Sequence, residues 1–252
     1  MSNLFWLSEE QFKKIQPLLP DDVRGVPRVD DRRVLSGIIH VIKRGLPWAD
    51  CPAEYGPAKT IYNRYARWGE KGVFARIFAA LVAEAGTPDS VSIDSTHIKV
   101  HRTAGCGRKK GARNRGIGNS RGGRNSKVHA VTDDKGRPVV LVLTAGNVSD
   151  YVPAKECLEA APRASAVIAD RGYDSDELRD FIKSRGAKPI IPPKKNRNVQ
   201  YRYDKELYKT RNRVERFFCR LKDFRRVATR YDRQPYIFMA AVFLASIVAF
   251  WL

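Results

Sequence analysis

Cysteine is sparse and scattered. Cys51, Cys106, Cys157 and Cys219 form no CxxC pair. That spacing argues against a disulfide framework or a structural zinc and fits reduced thiols in a cytoplasmic protein. No secretory leader is expected, because the first twenty residues hold Glu9 and Glu10 and no long apolar stretch. The prenylation box and the N-terminal glycine of a myristoylation signal are also missing. Long apolar runs are nearly absent. The uncharged stretch from Tyr236 to Leu252 is at the lower edge of membrane-span length. It stands alone in a charged chain, so it is expected to be a buried C-terminal helix, with no membrane partner. Acidic residues are in the minority, 27 against 47 lysines and arginines, for a formal charge of +20. That balance favours a polyanionic partner and says little about the fold.

The chain's 252 residues suffice for one large domain or two small ones. The first third reads as helical. LSEEQFKKIQPLLP has Ser8 as an N-cap and a stripe of Leu7, Phe12, Ile15 and Leu19. A second helix is expected from about Asp30 to Arg44, ended by Gly45. After the turn-rich DCPAEYGP, a third helix keeps Ile61, Tyr65 and Trp68 in register, and VFARIFAALVAEAG forms a fourth. From Val91 the pattern changes to strands. SVSIDSTHIKVH is followed by a Gly- and Arg-rich loop, then by two strands joined in a hairpin at Asp134-Lys135-Gly136. A helix from about Tyr151 to Ala161, the strand ASAVIAD, the helix SDELRDFIKSRG, the strand AKPIIPP and two last helices complete the order. The expectation is an α/β protein: a small all-α domain over 1–86 and a mixed sheet flanked by helices over 87–252.

Two aspartates end apolar runs that read as buried strands, Asp94 after Val91-Ser92-Ile93 and Asp170 after Ala166 to Ala169. Tyr208, Arg211, Glu215 and Lys222 fall at i, i+3, i+7 and i+14, one face of a single helix. A carboxylate between an arginine and a lysine suits a metal beside a phosphate. Cutting a phosphodiester calls for hard divalent ions held by carboxylate oxygens from separate elements that meet at a sheet edge. Asp150 and Asp174 are rival acids and read as helix caps. Asp133 and Asp134 read as turn residues.

These residues carry a resemblance. DRGYDS (Asp170 to Ser175), followed by Tyr-x2-Arg-x3-Glu-x6-Lys, resembles the DDE transposases of bacterial insertion sequences with the YREK signature. IDST (Ile93 to Thr96), NVSD (Asn147 to Asp150) and ATRYD (Ala228 to Asp232) fit the same group. LSEEQ and GLPWADCP resemble the N-terminal domain of the insertion-sequence-five type, so the likeness covers essentially the whole chain. It implies an RNase H-like catalytic domain with Asp94, Asp170 and Glu215 as catalytic and metal-binding residues. It also implies two Mg²⁺ or Mn²⁺ ions, cleavage at the element's terminal inverted repeats, and strand transfer into target DNA. A homodimer on the DNA, at the nucleoid, follows from the same likeness. Only forty-five positions separate Asp170 from Glu215. The large β-rich insertion of some relatives therefore has no room, nor does any tryptophan role borrowed from it. A catalytically silent DNA-binding regulator and a plain metal nuclease are the rival readings.

DNA contacts are expected from three places. Tyr208, Arg211 and Lys222 would meet phosphates. The loop from Arg102 to Lys127, with Arg108, Lys109, Lys110, Arg113 and Arg115, is either a disordered basic loop or a flexible clamp that orders on DNA. The helix after Pro57 carries Lys59, Asn63, Arg64 and Arg67 opposite its apolar stripe. It is either a solvated face or the recognition helix of a helix-turn-helix-like unit. His97 and His101 read as strand residues near DNA phosphate.

Overall fold

The computed structural model describes residues 4–20, 30–105 and 115–252. In chain order the helices are α1 (Glu9–Ile15), α2 (Asp31–Arg44), α3 (Ala58–Glu70), α4 (Val73–Glu84), α5 (Arg102–Gly105), α6 (Ala154–Ala160), α7 (Asp176–Ser184), α8 (Lys205–Lys209), α9 (Asn212–Lys222), α10 (Arg225–Ala228) and α11 (Pro235–Phe250). The strands are β1 (Ser90–Val100), β2 (Gly118–Ser120), β3 (Gly123–Thr132), β4 (Pro138–Ala145), β5 (Ala166–Ala169), β6 (Lys188–Ile190) and the two-residue β7 (Thr229–Arg230). They form two compact units. One holds Met1–Glu84, His101–Cys106 and Leu221–Leu252, and the other holds Ala85–Val100 with Gly107–Arg220.

The first unit is helical. Ser8 caps α1 through a reciprocal box, its Oγ accepting from Gln11 N while the Gln11 side chain accepts from Ser8 N. Asp30 caps α2, and Gly45 ends it at φ +77°. A left-handed residue there favours glycine, and the space is short as well, since a Cβ would stand 2.7 Å from Arg225 Cβ. The apolar stripe of α3, Ile61, Tyr65 and Trp68, is fully buried. Gly69 lets α3 approach α11: a Cβ added there would meet Ala240 Cβ at 3.1 Å. Tyr65 Oη donates to the Ile237 carbonyl at 2.6 Å, and Phe78 meets Phe243 with ring centroids 5.2 Å apart.

The uncharged tail is therefore a buried helix, and among the described residues no helix is long and apolar enough to cross a membrane. Its place differs from the expected boundary at residue 86. The tail clusters with the first four helices because its apolar surface covers α3 and α4.

The second unit is a mixed sheet. The strand order is β2-β3-β1-β5-β6, with β4 also pairing β3. β1/β3 and β3/β4 are antiparallel; β1/β5 and β5/β6 are parallel. β3 is buried from Asn125 to Thr132, as a strand covered on both faces should be. The β3–β4 hairpin turns where Asp134-Lys135-Gly136 marked it. The Asp133 carboxylate accepts from the backbone N–H groups of Lys135 and Arg137, and Gly136 takes φ +80°. Helix α6 links β4 to β5 and α7 links β5 to β6, which gives the parallel half of the sheet its crossover helices.

Candidate active site

The sheet brings the two strand aspartates together through register. Ile93 on β1 is paired with Ala169 on parallel β5. The next residues along each strand, Asp94 and Asp170, are therefore neighbours at the carboxyl end of β5, where open α/β sheets place their sites. β5 stops there because the Asp170 side chain accepts from Gly172 N at 2.8 Å and starts a short turn. β1 runs on, and Asp94 Oδ1 accepts from Ser95 N at 2.7 Å.

Glu215 arrives on α9. Val214, Phe217, Phe218 and Leu221 form the buried stripe of that helix, leaving Glu215 on its open side. The hairpin fixes the helix in two ways. Arg213 donates to the Asp134 carbonyl, and Gly136 lies so close that an added Cβ would meet Arg213 Cβ at 3.3 Å. Arg211 then joins the acids, donating from Nη1 to Asp94 Oδ2 at 3.2 Å and from Nη2 to Glu215 Oε1.

Electrostatics mark the cluster. Burial pushes the Asp94 carboxyl up to about 6, against the Ser95 N–H that stabilises its anion. The charges of Asp170 and Glu215 push the same way as burial, and Arg211 opposes them. The Tyr173 hydroxyl is buried without a partner. Burial raises its pKa, and the charges of Asp94, Asp150 and Asp170 raise it further. The donor set is all oxygen, carries excess negative charge and is partly desolvated, so it fits a hard divalent cation. Among the described residues no group of three acidic, histidine or cysteine side chains is already gathered as a metal cage. Glu215 reaches Asp94 only through Arg211.

Several expectations change here. Tyr208, Arg211, Glu215 and Lys222 do not share one continuous helix. The chain breaks at Thr210–Arg211, so Tyr208 ends up on α8. Thr210 Oγ1 donates back to the Leu207 carbonyl at 2.7 Å, a local bond that competes with the helical ladder. Tyr208 packs with Tyr203 and Leu207 against Ala166, Ile168 and Ile190 of β5 and β6. Lys222 is exposed in the last turn of α9.

Asp174 does not itself cap α7, which Ser175 caps; it stands one residue earlier and closes the short turn Arg171–Tyr173. It is buried between Arg179 and Arg197, each at 2.8 Å, and also accepts from Lys194 N. Asp150 accepts from Ser95 Oγ and Lys127 Nζ, both at 2.7 Å. Burial alone would raise its pKa, and these two bonds hold it below the usual carboxylate range. Sequence reasoning missed Lys127, a mostly buried cation that anchors this acid against Ser95, the residue after Asp94. It had no distinct sequence signal, because Arg124, Asn125, Ser126 and His129 are polar in the same strand.

In the first unit, Lys59, Asn63 and Arg67 are exposed along α3. Arg64 is not, since Nη1 donates to Asp31 Oδ1 at 2.5 Å and the guanidinium lies over Trp68. Arg108, Lys109, Lys110 and Arg113 lie outside the described residues, while Arg115 is half-buried. His97 is exposed on β1. His101 falls just past β1 and stands beside Tyr231, ring centroids 4.7 Å apart.

Comparisons agree with this architecture. A family model described as "Transposase DDE domain" matches residues 86–249, well over half of the chain. Another, described as "Putative transposase of IS4/5 family", matches residues 7–78. A Brucella ovis protein, "Putative transposase for insertion sequence element IS6501", is 38% identical over 121 residues, 48% of this chain and 93% of its own length. The corresponding protein of element IS402 from Burkholderia cepacia is 33% identical over 137 residues, 50% of this chain and 63% of its own. Among solved structures, the piggyBac transposase in a synaptic complex with hairpin DNA superposes with a TM-score of 0.51. That match has 9% identity and covers 95% of this chain and 69% of the other. At that identity it shows the shared RNase H-like fold alone.

Proposed function

We propose a site and a reaction from one premise: the chain belongs to the transposase DDE-domain family. Its function is that of an insertion-sequence transposase, an enzyme that cleaves and transfers DNA. The finer reading is that Asp94, Asp170 and Glu215 are the catalytic carboxylates and hold divalent metal, two Mg²⁺ or Mn²⁺ ions. The observation that carries it is the register of Ile93 with Ala169, which makes Asp94 and Asp170 neighbours, together with Arg211 tying Glu215 to Asp94.

When bound, such ions activate the attacking oxygen and stabilise the leaving one. The chain's own groups orient and balance charge. Asp170 is held by Gly172 N, and Asp94 by Ser95 N. The Ser95–Asp150–Lys127 chain of bonds stiffens β1 at this point. Arg211 offsets part of the charge of Asp94 and Glu215, and would be free to meet a DNA phosphate if cations took its place. Lys222 and Tyr208 serve the same backbone. Water is the first nucleophile, and the resulting 3′-hydroxyl at the element end attacks target DNA.

In this reading the DNA ends are held by a homodimer. α3 presents Lys59, Asn63 and Arg67 to the duplex, and Arg64 leaves that set for a structural role beside Asp31. Arg115 and the basic segment before it supply further phosphate contacts.

The test uses labelled duplex carrying the terminal repeats, a target plasmid and Mg²⁺. Wild type should cut and join. Asp94→Asn, Asp170→Asn and Glu215→Gln should each abolish both while end binding is kept. Cutting without joining would make the protein a nuclease, and binding without cutting would make it a regulator.

A further inference from the structure

Arginines of the second unit are commonly tied to the backbone. Arg179 donates to the Ile191 carbonyl, Arg185 to the Ala161 carbonyl and Arg213 to the Asp134 carbonyl. Arg211 has no such anchor among the described residues. Its two Nη atoms go to two carboxylates from different elements, Asp94 of β1 and Glu215 of α9. Its own backbone lies at the break between α8 and α9, outside both helices.

The guanidinium therefore stands where a cation shared by Asp94 and Glu215 would have to enter. Both Asp94 oxygens are engaged, Oδ1 by Ser95 N and Oδ2 by Arg211 Nη1. A second positive charge arriving beside the guanidinium is repelled by it. Solvent and ligands can reach the place, because the Glu215 side chain is 51% exposed and that of Arg211 is 22% exposed. Lys127 makes a useful contrast. It serves Asp150 in the same way, but it is 8% exposed and is also fixed by the Val148 carbonyl. Arg211 is held by charge alone, so a competing anion can draw it off. A phosphodiester offers two oxygens that match the planar fork of a guanidinium.

We infer that Arg211 is a latch on the acidic site: it fills the cation position between Asp94 and Glu215 until a DNA phosphate takes it, so that metal loading depends on DNA. The inference rests on the reading of these acids as metal ligands. It adds that the free protein is held in a metal-poor state by its own arginine. The coupling is reciprocal, so metal must tighten DNA binding by the factor by which DNA tightens metal binding. A fixed structural brace behaves differently, since its removal would loosen the acids and weaken metal binding.

The test is Mn²⁺ titration of the full-length chain without DNA, with free ion counted by electron paramagnetic resonance. A neighbouring charge shifts the binding of one proton by roughly ten- to a thousand-fold, and a divalent ion should feel it no less. Arg211→Ala should therefore bind Mn²⁺ about tenfold or more tighter than wild type. Arg211→Gln, which keeps a donor but not the charge, should do the same. Arg216→Ala removes an equal charge from the exposed side of α9 and should stay within about threefold of wild type. Adding Glu215→Gln to Arg211→Ala should abolish the gain. End duplex should tighten wild-type uptake by a factor at least about fivefold larger than in Arg211→Ala. No gain in either Arg211 variant overturns the latch, and so does an equal gain in Arg216→Ala or an equal duplex effect in wild type and Arg211→Ala. If wild type on end duplex still takes up Mn²⁺ through Glu215 in those cases, the catalytic reading stands and the latch alone falls. Uptake indifferent to Glu215→Gln in every background overturns both.

Discussion

Asp174 and Asp170 stand four residues apart in DRGYDS, and their environments predict opposite phenotypes. The Asp174 carboxylate has no exposed side-chain surface, and its partner Arg179 is only 2% exposed. Arg179 also donates from Nη2 to the Ile191 carbonyl at 2.8 Å, which fixes it in place. Asp174→Ala would leave that guanidinium buried without its counter-charge. Breaking one side of a buried pair costs about 3–5 kcal/mol. For a chain of this size that is a fall of roughly 6–20 °C in melting temperature. Asp170 is only half-buried and accepts a single backbone bond that asparagine can keep. Asp170→Asn should therefore lose cleavage and melt within about 2 °C of wild type. Replacing the pair together, Asp174→Leu with Arg179→Met, should recover a large part of the lost stability. Thermal melts followed by circular dichroism decide it. An Asp174→Ala protein as stable as wild type would refute the reasoning, and so would an equal loss in Asp170→Asn.

Three further outcomes are expected. Arg64→Ala should lower stability through the lost Asp31 pair and leave the salt dependence of DNA binding unchanged, whereas Arg67→Ala should reduce the log–log salt slope by about 0.9. Equal slopes for the two variants would put Arg64 back on the DNA. Gly136→Ala, at φ +80° and against Arg213, should cost about 1–2 kcal/mol in denaturant melts and misplace α9, lowering cleavage; a neutral effect would show that the hairpin does not hold the helix. Stability should also fall in acid through Asp174. Burial alone would raise this carboxyl, and the Lys194 N–H with Arg179 and Arg197 outweighs it, so its folded pKa lies below the ordinary carboxylate value. Its contribution is therefore complete above about pH 4 and is lost as pH falls through the lower, folded value. Asp174→Asn should flatten that part of the pH–stability curve.

Much of the second unit could be read from the sequence because its signals are local. The apolar runs before Asp94 and Asp170, the Asp-Lys-Gly hairpin and the order of strands and helices all follow from short windows. The features that escaped depend on partners far along the chain. Arg64 looks like an ordinary solvated charge until Asp31, thirty-three residues earlier, is seen beside it. The tail reads as a buried helix, but its site on α3 depends on Tyr65 bonding Ile237 across 172 residues. The break between α8 and α9 has no glycine or proline to announce it. It follows from the Thr210 hydroxyl turning back on Leu207, a choice that residue spacing does not reveal.

The central claim is that Asp94, Asp170 and Glu215 together hold divalent metal. Its most direct test is titration of Mn²⁺ into the protein bound to its end duplex, with free ion counted by electron paramagnetic resonance. Wild type should take up two ions that the duplex alone does not. Asp94→Asn, Asp170→Asn and Glu215→Gln should each weaken or lose that binding while keeping the wild-type melting temperature within about 2 °C. Wild-type Mn²⁺ uptake in all three variants would contradict the account.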